Sequence, residues 1–421
     1  MGFALLYPSY EWACLTARHA FGSAPQIKVA APVKPLTPAW VILRFQCRHG
    51  RIDSSMFYSS HPLFRRYRPG SLRAALIIAL LAVMISDSAL SDELSRLGLP
   101  VAADAGLPGD RVLQVELGRR LFLEPHLAED GVVSCSMCHV PEQGFALNHL
   151  ATASGRGGTI LRRNAPSLLN VHLAKSFLRD GRMHSLEDQI WGPLLNLEEQ
   201  WNPSVEDVVS RLKARPNYDK AFRSAFAGQR VSKQLISAAL AAYERSLVAA
   251  GAPFDQWYFG KNANALNDTA RAGFEVFRAS GCSHCHEIER DHARFTDDTY
   301  RNTGVEWARI NGQLGTQKGV PDVGRFAVTA REGDRYAFRV PTLRNVALTF
   351  PYMHDGSLAT LRDVVDFYDA GNGADPQRDT RLRRLNLTEP QKKQLIAFLE
   401  SLTSANAEEL AKQARAPFND H

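Results

Sequence analysis

Apolar positions recur at intervals of three and four through most of the chain beyond residue 108, the period of a helix with one buried face. The stretches 205–226, 232–249, 359–370 and 388–403 carry this pattern and are expected to be helical. Ser232 and Thr388 stand where N-caps belong, and Pro390 falls in the first turn, where its missing N–H is no loss. Two further amphipathic segments share a local pattern. Leu117-Gly118-Arg119-Arg120-Leu121-Phe122 and Ala272-Gly273-Phe274-Glu275-Val276-Phe277 each place a glycine four residues before a phenylalanine. A small residue there lets one helix lie close on another, and the recurrence points to an internal repeat. Strand-like alternation is sparse, and Gly, Pro, Asn and Asp cluster at 252–267. The pattern predicts an all-α fold with a seam in that cluster.

A different order of residues marks the N-terminal region. Arg65, Arg66, Arg68 and Arg73 precede a 12-residue apolar run, Ala74 to Ile85, which gives way to small and polar residues through Ser91. Basic, then apolar, then cleavable is the order of an export signal. The run is short for a bilayer span, although an uncleaved anchor is the alternative. Residues 56–91 are therefore read as a signal peptide starting at Met56, and 1–55 as a non-native or disordered extension. The rest is expected to divide into domains at 92–258 and 259–405 with a tail at 406–421. Charge follows the same division. Of 50 Lys+Arg and 44 Asp+Glu, residues 1–91 hold 10 and 3, which leaves the mature part with 40 and 41. The basic excess belongs to the leader, so a nucleic-acid-binding reading has no support. Export implies an oxidising, periplasmic setting.

Four of the six cysteines fall in two copies of one pentapeptide. These are Cys135-Ser136-Met137-Cys138-His139 and Cys282-Ser283-His284-Cys285-His286, 147 residues apart. This spacing is the attachment signature of c-type haem: both thiols bond to the haem vinyl groups, and the adjacent histidine ligates the iron. A structural zinc site or a redox dithiol would use the cysteines but leave each histidine without a role. Two covalently bound haems c are the implied cofactors, with His139 and His286 as iron ligands.

Around these motifs, residues 108–405 resemble the bacterial dihaem cytochrome c peroxidase and MauG family. The resemblance is carried by the two haem motifs and by Arg163-Asn-Ala-Pro-Ser-Leu-Leu-Asn170, Asp180-Gly181-Arg182, Leu186-Glu-Asp-Gln189 and Gly192-Pro193. Pro341-Thr-Leu-Arg-Asn345 and Pro351-Tyr-Met-His-Asp-Gly-Ser357 complete it, all in family order and at family spacing. It implies two cytochrome c-type domains packed face to face, the N-terminal haem meeting peroxide and the C-terminal haem handling electrons. The implied activity is reduction of hydrogen peroxide, with a small cytochrome c or a cupredoxin as donor. A MauG-like oxidase acting on a partner protein or organic substrate is the alternative. A non-enzymatic electron carrier or redox sensor is the second, and a second copy of the chain is a candidate partner.

The resemblance also assigns residues. Glu199 maps onto the proton shuttle and Gln189 onto the group that orients peroxide, with Glu198 the fallback if the loop slips by one. Family members with a blocked first iron carry a histidine in the loop that here reads Ala153-Ser-Gly-Arg156-Gly157. Arg156 holds that place, and a guanidinium stays protonated and does not ligate iron. An open first iron follows, with His149 as the competing ligand. Opposite His286 the register puts Tyr368, a hard phenolate donor that favours oxidised iron, while Met353 is the competing thioether. The Asn164 side chain and the carbonyls of Thr349 and Pro351 map onto a family calcium site. One departure stands out. The family has an electron-relaying tryptophan before Asp-Gly-Arg, whereas this chain has Arg179. Trp191, Trp201 or direct tunnelling are the alternative routes.

Overall fold

The computed structural model describes residues 96–100, 109–314, 320–371 and 375–418, and the backbone of three short strands nearer the N-terminus. Those strands, β1 Ile27–Val29, β2 Leu43–Cys47 and β3 Gly50–Arg51, pair antiparallel in the order β1-β2-β3. They belong to the unit that ends at Asp92, within the stretch read as a non-native or disordered extension. The expected signal peptide at 56–91 lies outside the described residues. Among the described residues no helix is long and apolar enough to cross a membrane.

The unit from Glu93 onward is largely helical, as the pattern predicts. Its first helices are α1 Gly109–Leu123, α2 Cys135–Cys138, α3 Leu186–Gln189, α4 Trp191–Leu195, α5 Val205–Lys213, α6 Pro216–Ala225 and α7 Lys233–Ser246. There follow α8 Pro253–Tyr258, α9 Asp268–Ala279, α10 Val305–Ile310, α11 Phe326–Thr329, α12 Leu361–Ala370, α13 Glu389–Glu400 and α14 Ala407–Arg415. One antiparallel ribbon interrupts them, β4 Tyr300–Arg301 against β5 Phe338–Arg339. The single helix expected over 205–226 is two, because Pro216 has no N–H to continue the turn and instead opens α6. Ser232 caps α7 by accepting from the Leu235 amide, and Thr388 caps α13 in a box with Gln391.

Two helix pairs repeat the same contact. α1 lies on α7, and α9 lies on α13. A Cβ on Gly118 would sit 1.9 Å from the Ala239 carbonyl oxygen, and one on Gly273 would sit 1.8 Å from that of Gln394. Only glycine permits these approaches. Phe122 and Phe277, four residues on in each case, are fully buried beside them. The loops repeat as well. Asn170 and Asn345 are both left-handed, with φ of 58° and 60°. The Asn170 amide donates to the Leu247 carbonyl and its Oδ1 accepts from the Ala249 amide. The Asn345 amide donates to Leu402, and its Oδ1 accepts from Ser404. Each asparagine thus clamps the chain leaving the long helix of its own pair.

The first core draws on side chains from Leu117 to Ala249, and the second on Phe254 to Leu402. The second centres on Phe254, whose ring meets those of Phe274, Phe295 and Phe398. α14, in the stretch read as a tail, returns to the first core, where Ala414 is buried. Arg119 of α1 donates to the carbonyls of Ala414 and Ala416 there.

Candidate functional site

Each Cys-x-x-Cys-His motif is a single helical turn closed onto its histidine. The His139 amide donates to the Cys135 carbonyl at 2.9 Å, and the His286 amide to that of Cys282 at 3.0 Å. Both imidazoles are tethered through Nδ1. That of His139 faces the carbonyls of Pro166 at 3.0 Å and Phe145 at 3.2 Å, and that of His286 faces Phe295 at 2.8 Å. A carbonyl partner fixes the proton on Nδ1 and leaves Nε2 with its lone pair. Burial lowers the basicity of both histidines, so each is neutral and able to ligate at pH 7. The thiols are free of disulfides. Burial pushes Cys135 up to about 12 and Cys138 and Cys282 to about 11, so at neutral pH they rest as protonated thiols. These groups are partly buried, each retaining some accessible surface. The donor set fits covalently bound haem at both motifs.

Beside the first motif the loop after α4 brings Glu199 close enough to raise the Cys138 thiol by its charge. Glu199 is half-buried, whereas Glu198 is exposed. Burial raises the Glu199 carboxyl, partly opposed by a 2.7 Å hydrogen bond from Asn196 Nδ2 and by the Arg182 charge. Gly155 lies against the Glu198 carbonyl, where a Cβ would approach to 1.7 Å, so the Arg156 loop sits directly on the Glu199 loop. Arg156 stacks on Trp201, its guanidinium carbon 3.1 Å from the ring centroid. His149 is exposed and bonded to Gln143. Gln189 ends α3, and among the described residues no hydrogen bond joins it to Glu199.

Two neighbours of Cys135 escaped the sequence reading. Gln200 Nε2 reaches Cys135 Sγ at 3.8 Å. Glu244 on α7 is buried with one carboxylate oxygen unpartnered, and burial pushes it up to about 8. A glutamate in Tyr243-Glu244-Arg245 reads as a solvated helix position, so sequence offers no signal for it. Trp191 is buried in the first core, with its Nε1 donating to Ser237 Oγ at 2.7 Å.

At the second motif, Tyr368 on α12 has its hydroxyl pushed well above the ordinary range by burial and then by the charges of Cys282 and Cys285. Met353, left-handed at φ 73°, packs in the same small cluster with Val305, Leu358 and Phe367. The structure brings both candidate ligands to this motif's side of the second half.

Between the halves lies a charged network. Arg163 bridges Asp180 at 2.7 Å and Asp322 at 2.6 Å. Arg179 donates to Asn164 instead, and desolvation followed by the Arg339 and Arg163 charges lowers it to about 10. It remains a cation at pH 7. Glu306, His354 and Asp355 present ligand atoms within 4.8 Å of one another. The Glu306 carboxylate is already held by Arg309 and by the Asp322 amide, whereas His354 Nε2 is buried without a hydrogen-bond partner among the described residues.

A di-haem cytochrome c peroxidase family model matches residues 113–263. The methylamine utilization protein MauG of Methylorubrum extorquens is 37% identical over 296 residues, covering 70% of this chain and 79% of that protein. The cytochrome c551 peroxidase of Nitrosomonas europaea is 31% identical over 335 residues, covering 79% and 92%. A crystal structure of a MauG-like protein associated with microbial copper homeostasis superposes with a TM-score of 0.63 at 28% identity, covering 74% and 95%. The chain belongs to the di-haem cytochrome c peroxidase family.

Proposed function

We propose that the chain is a periplasmic dihaem peroxidase, exported through residues 56–91, with one haem held by 92–258 and the other by 259–405. Hydrogen peroxide is its oxidant, and a small cytochrome c or a cupredoxin supplies the electrons. The overall change is H2O2 plus two protons and two electrons to two waters. Haem at the first motif supplies the iron that polarises the O–O bond and exchanges electrons. Glu199 accepts a proton from one peroxide oxygen and delivers it to the departing one, and Gln189 orients the peroxide. His139, tethered through Nδ1, would hold the iron through its free Nε2. The observation that carries this reading is the half-buried Glu199 beside Cys138, raised by burial and sheltered by the Arg156 loop. Replacing Glu199 by Gln keeps the shape and removes the base. Glu199→Gln is expected to slow reaction with peroxide by at least about 100-fold in stopped-flow absorbance. An unchanged rate removes Glu199 from the mechanism.

A MauG-like reading, in which the oxidising equivalent passes to a partner protein, is favoured by one further observation. Arg156 stands in the blocking position and is stacked on Trp201, away from any role as ligand. The oxidised protein should therefore react with peroxide without prior reduction. Inertness until one haem is reduced contradicts the open first site.

A further inference from the structure

We propose that the Arg179 guanidinium occupies the position at which the family resemblance expects calcium, so that this chain joins its two halves with a built-in cation and binds no divalent ion there. Asn164 is the only side chain in the expected calcium set, and only 4% of its surface is exposed. Its Nδ2 donates to the Ala151 carbonyl at 3.0 Å, which aims Oδ1 the other way. Arg179 Nη2 donates to that Oδ1 at 3.1 Å. The same guanidinium donates to the Asn164 carbonyl, from Nη2 at 3.2 Å and from Nε at 3.4 Å. Both Asn164 oxygens are thus already turned toward a positive charge. The Asn164 amide donates to the His354 carbonyl at 2.8 Å, which fixes it against the turn that carries Thr349 and Pro351.

Calcium needs roughly six to eight oxygens at about 2.3–2.6 Å. A planar, permanently charged fork bonded to Asn164 Oδ1 already takes the one side-chain ligand of the expected set, and its charge repels a second cation. The residues present do not fit the ion. Among the described residues Arg179 has no carboxylate at ion-pair distance, although its neighbours Arg163 and Arg339 are paired with Asp322 and Asp298. Its partners are neutral oxygens, as in the shell of a metal. Its own carbonyl accepts from the Arg339 amide at 2.8 Å, so one residue reaches Asn164 in the first half and β5 in the second. The departure at position 179 follows from the same contact. The residue that replaces the relay tryptophan brings the charge that replaces the ion.

The inference stands apart from peroxide chemistry, and so does its test. Haem-loaded wild-type protein is equilibrated with calcium, desalted and assayed for bound metal, then melted with added calcium or with a chelator. Arg179→Gln is treated alongside. The expected result is substoichiometric calcium and an unmoved thermal midpoint in the wild type, with a midpoint in Arg179→Gln that calcium raises and the chelator lowers. Equal responses in the two proteins, whether both shift or neither does, overturn the proposal. If Arg179→Gln does not fold, the wild type decides alone: one tightly held calcium per chain overturns it, and a calcium-free chain upholds it.

Discussion

Glu199 and Glu244 flank the first haem motif, one acting on Cys138 and the other on Cys135, and burial raises both carboxyls. Their consequences differ because Glu199 is the proposed base, whereas Glu244 lies buried on α7. If Glu199 works as the proposed base, its proton must be off. With its pKa raised, peroxide reactivity should increase with pH through a midpoint above the ordinary carboxyl value of 4.5. A pH series of the peroxide rate checks this, and Glu199→Gln should abolish that limb. Glu244 bears on stability. The folded chain keeps its proton up to about pH 8, whereas the unfolded chain releases it above about 4.5. Stability therefore falls as pH rises through that window and is flat above it. Glu244→Gln removes the slope and should raise the thermal midpoint more at pH 8 than at pH 5, with a ceiling of about 4 kcal/mol. Equal gains at both pH values would sink the assignment. Glu199 was legible only through its register from Gln189. Glu244 was not legible at all, because the polar–apolar pattern does not show which face of α7 meets the haem cavity.

At the scale of elements, the glycine–phenylalanine recurrence was legible and the structure gives it a physical basis. Gly118 and Gly273 are the points where α1 meets the backbone of α7 and α9 meets that of α13. Gly273→Ala forces a methyl group onto the Gln394 carbonyl and should destabilise the protein by about 1–3 kcal/mol in denaturant melts, despite alanine's better helix propensity. A stabilised variant would show that the two helices separate freely. The asparagine clamps were not legible, because their signal is a left-handed φ and a backbone hydrogen bond, neither of which has a hydropathy pattern. The split at Pro216 lay in plain view, yet the apolar period continues across it and obscured the break. α12 carries the remaining question of ligation. Thr360 and Asp363 cap it reciprocally, which fixes the first turn of the helix that carries Tyr368. If Tyr368 ligates the second iron, Tyr368→Phe should alter the low-spin EPR signal of the oxidised protein and leave the high-spin signal in place. An unaltered low-spin signal would return the role to Met353 or another group.

Across the whole molecule, the two halves repeat one plan but are not independent pieces, because the last helix crosses back. α14 follows the second core in sequence and joins the first in space. Asn406 ties the chain there, its Oδ1 accepting from the Ala250 amide and its Nδ2 donating to the Val248 carbonyl. Arg119, buried on α1, then caps the end of α14 through the Ala414 and Ala416 carbonyls, and Arg415 pairs with Glu142 in the loop beyond the first haem motif. A chain ending at Ala405 keeps the Asn345–Ser404 clamp of the second half and loses every one of these contacts with the first. Arg119 would retain only Glu116, with its remaining donors in a buried setting. The truncation should cost at least about 2 kcal/mol, the scale of hydrogen bonds to a charged group left unmade. Hydrogen exchange should locate the damage. Amides of α1 and α7 are expected to exchange faster while those of α9 and α13 keep their protection, although the deletion lies nearer the latter in sequence. Equal loss of protection in both pairs would mean that the halves unfold as one cooperative unit, with α14 stabilising the whole.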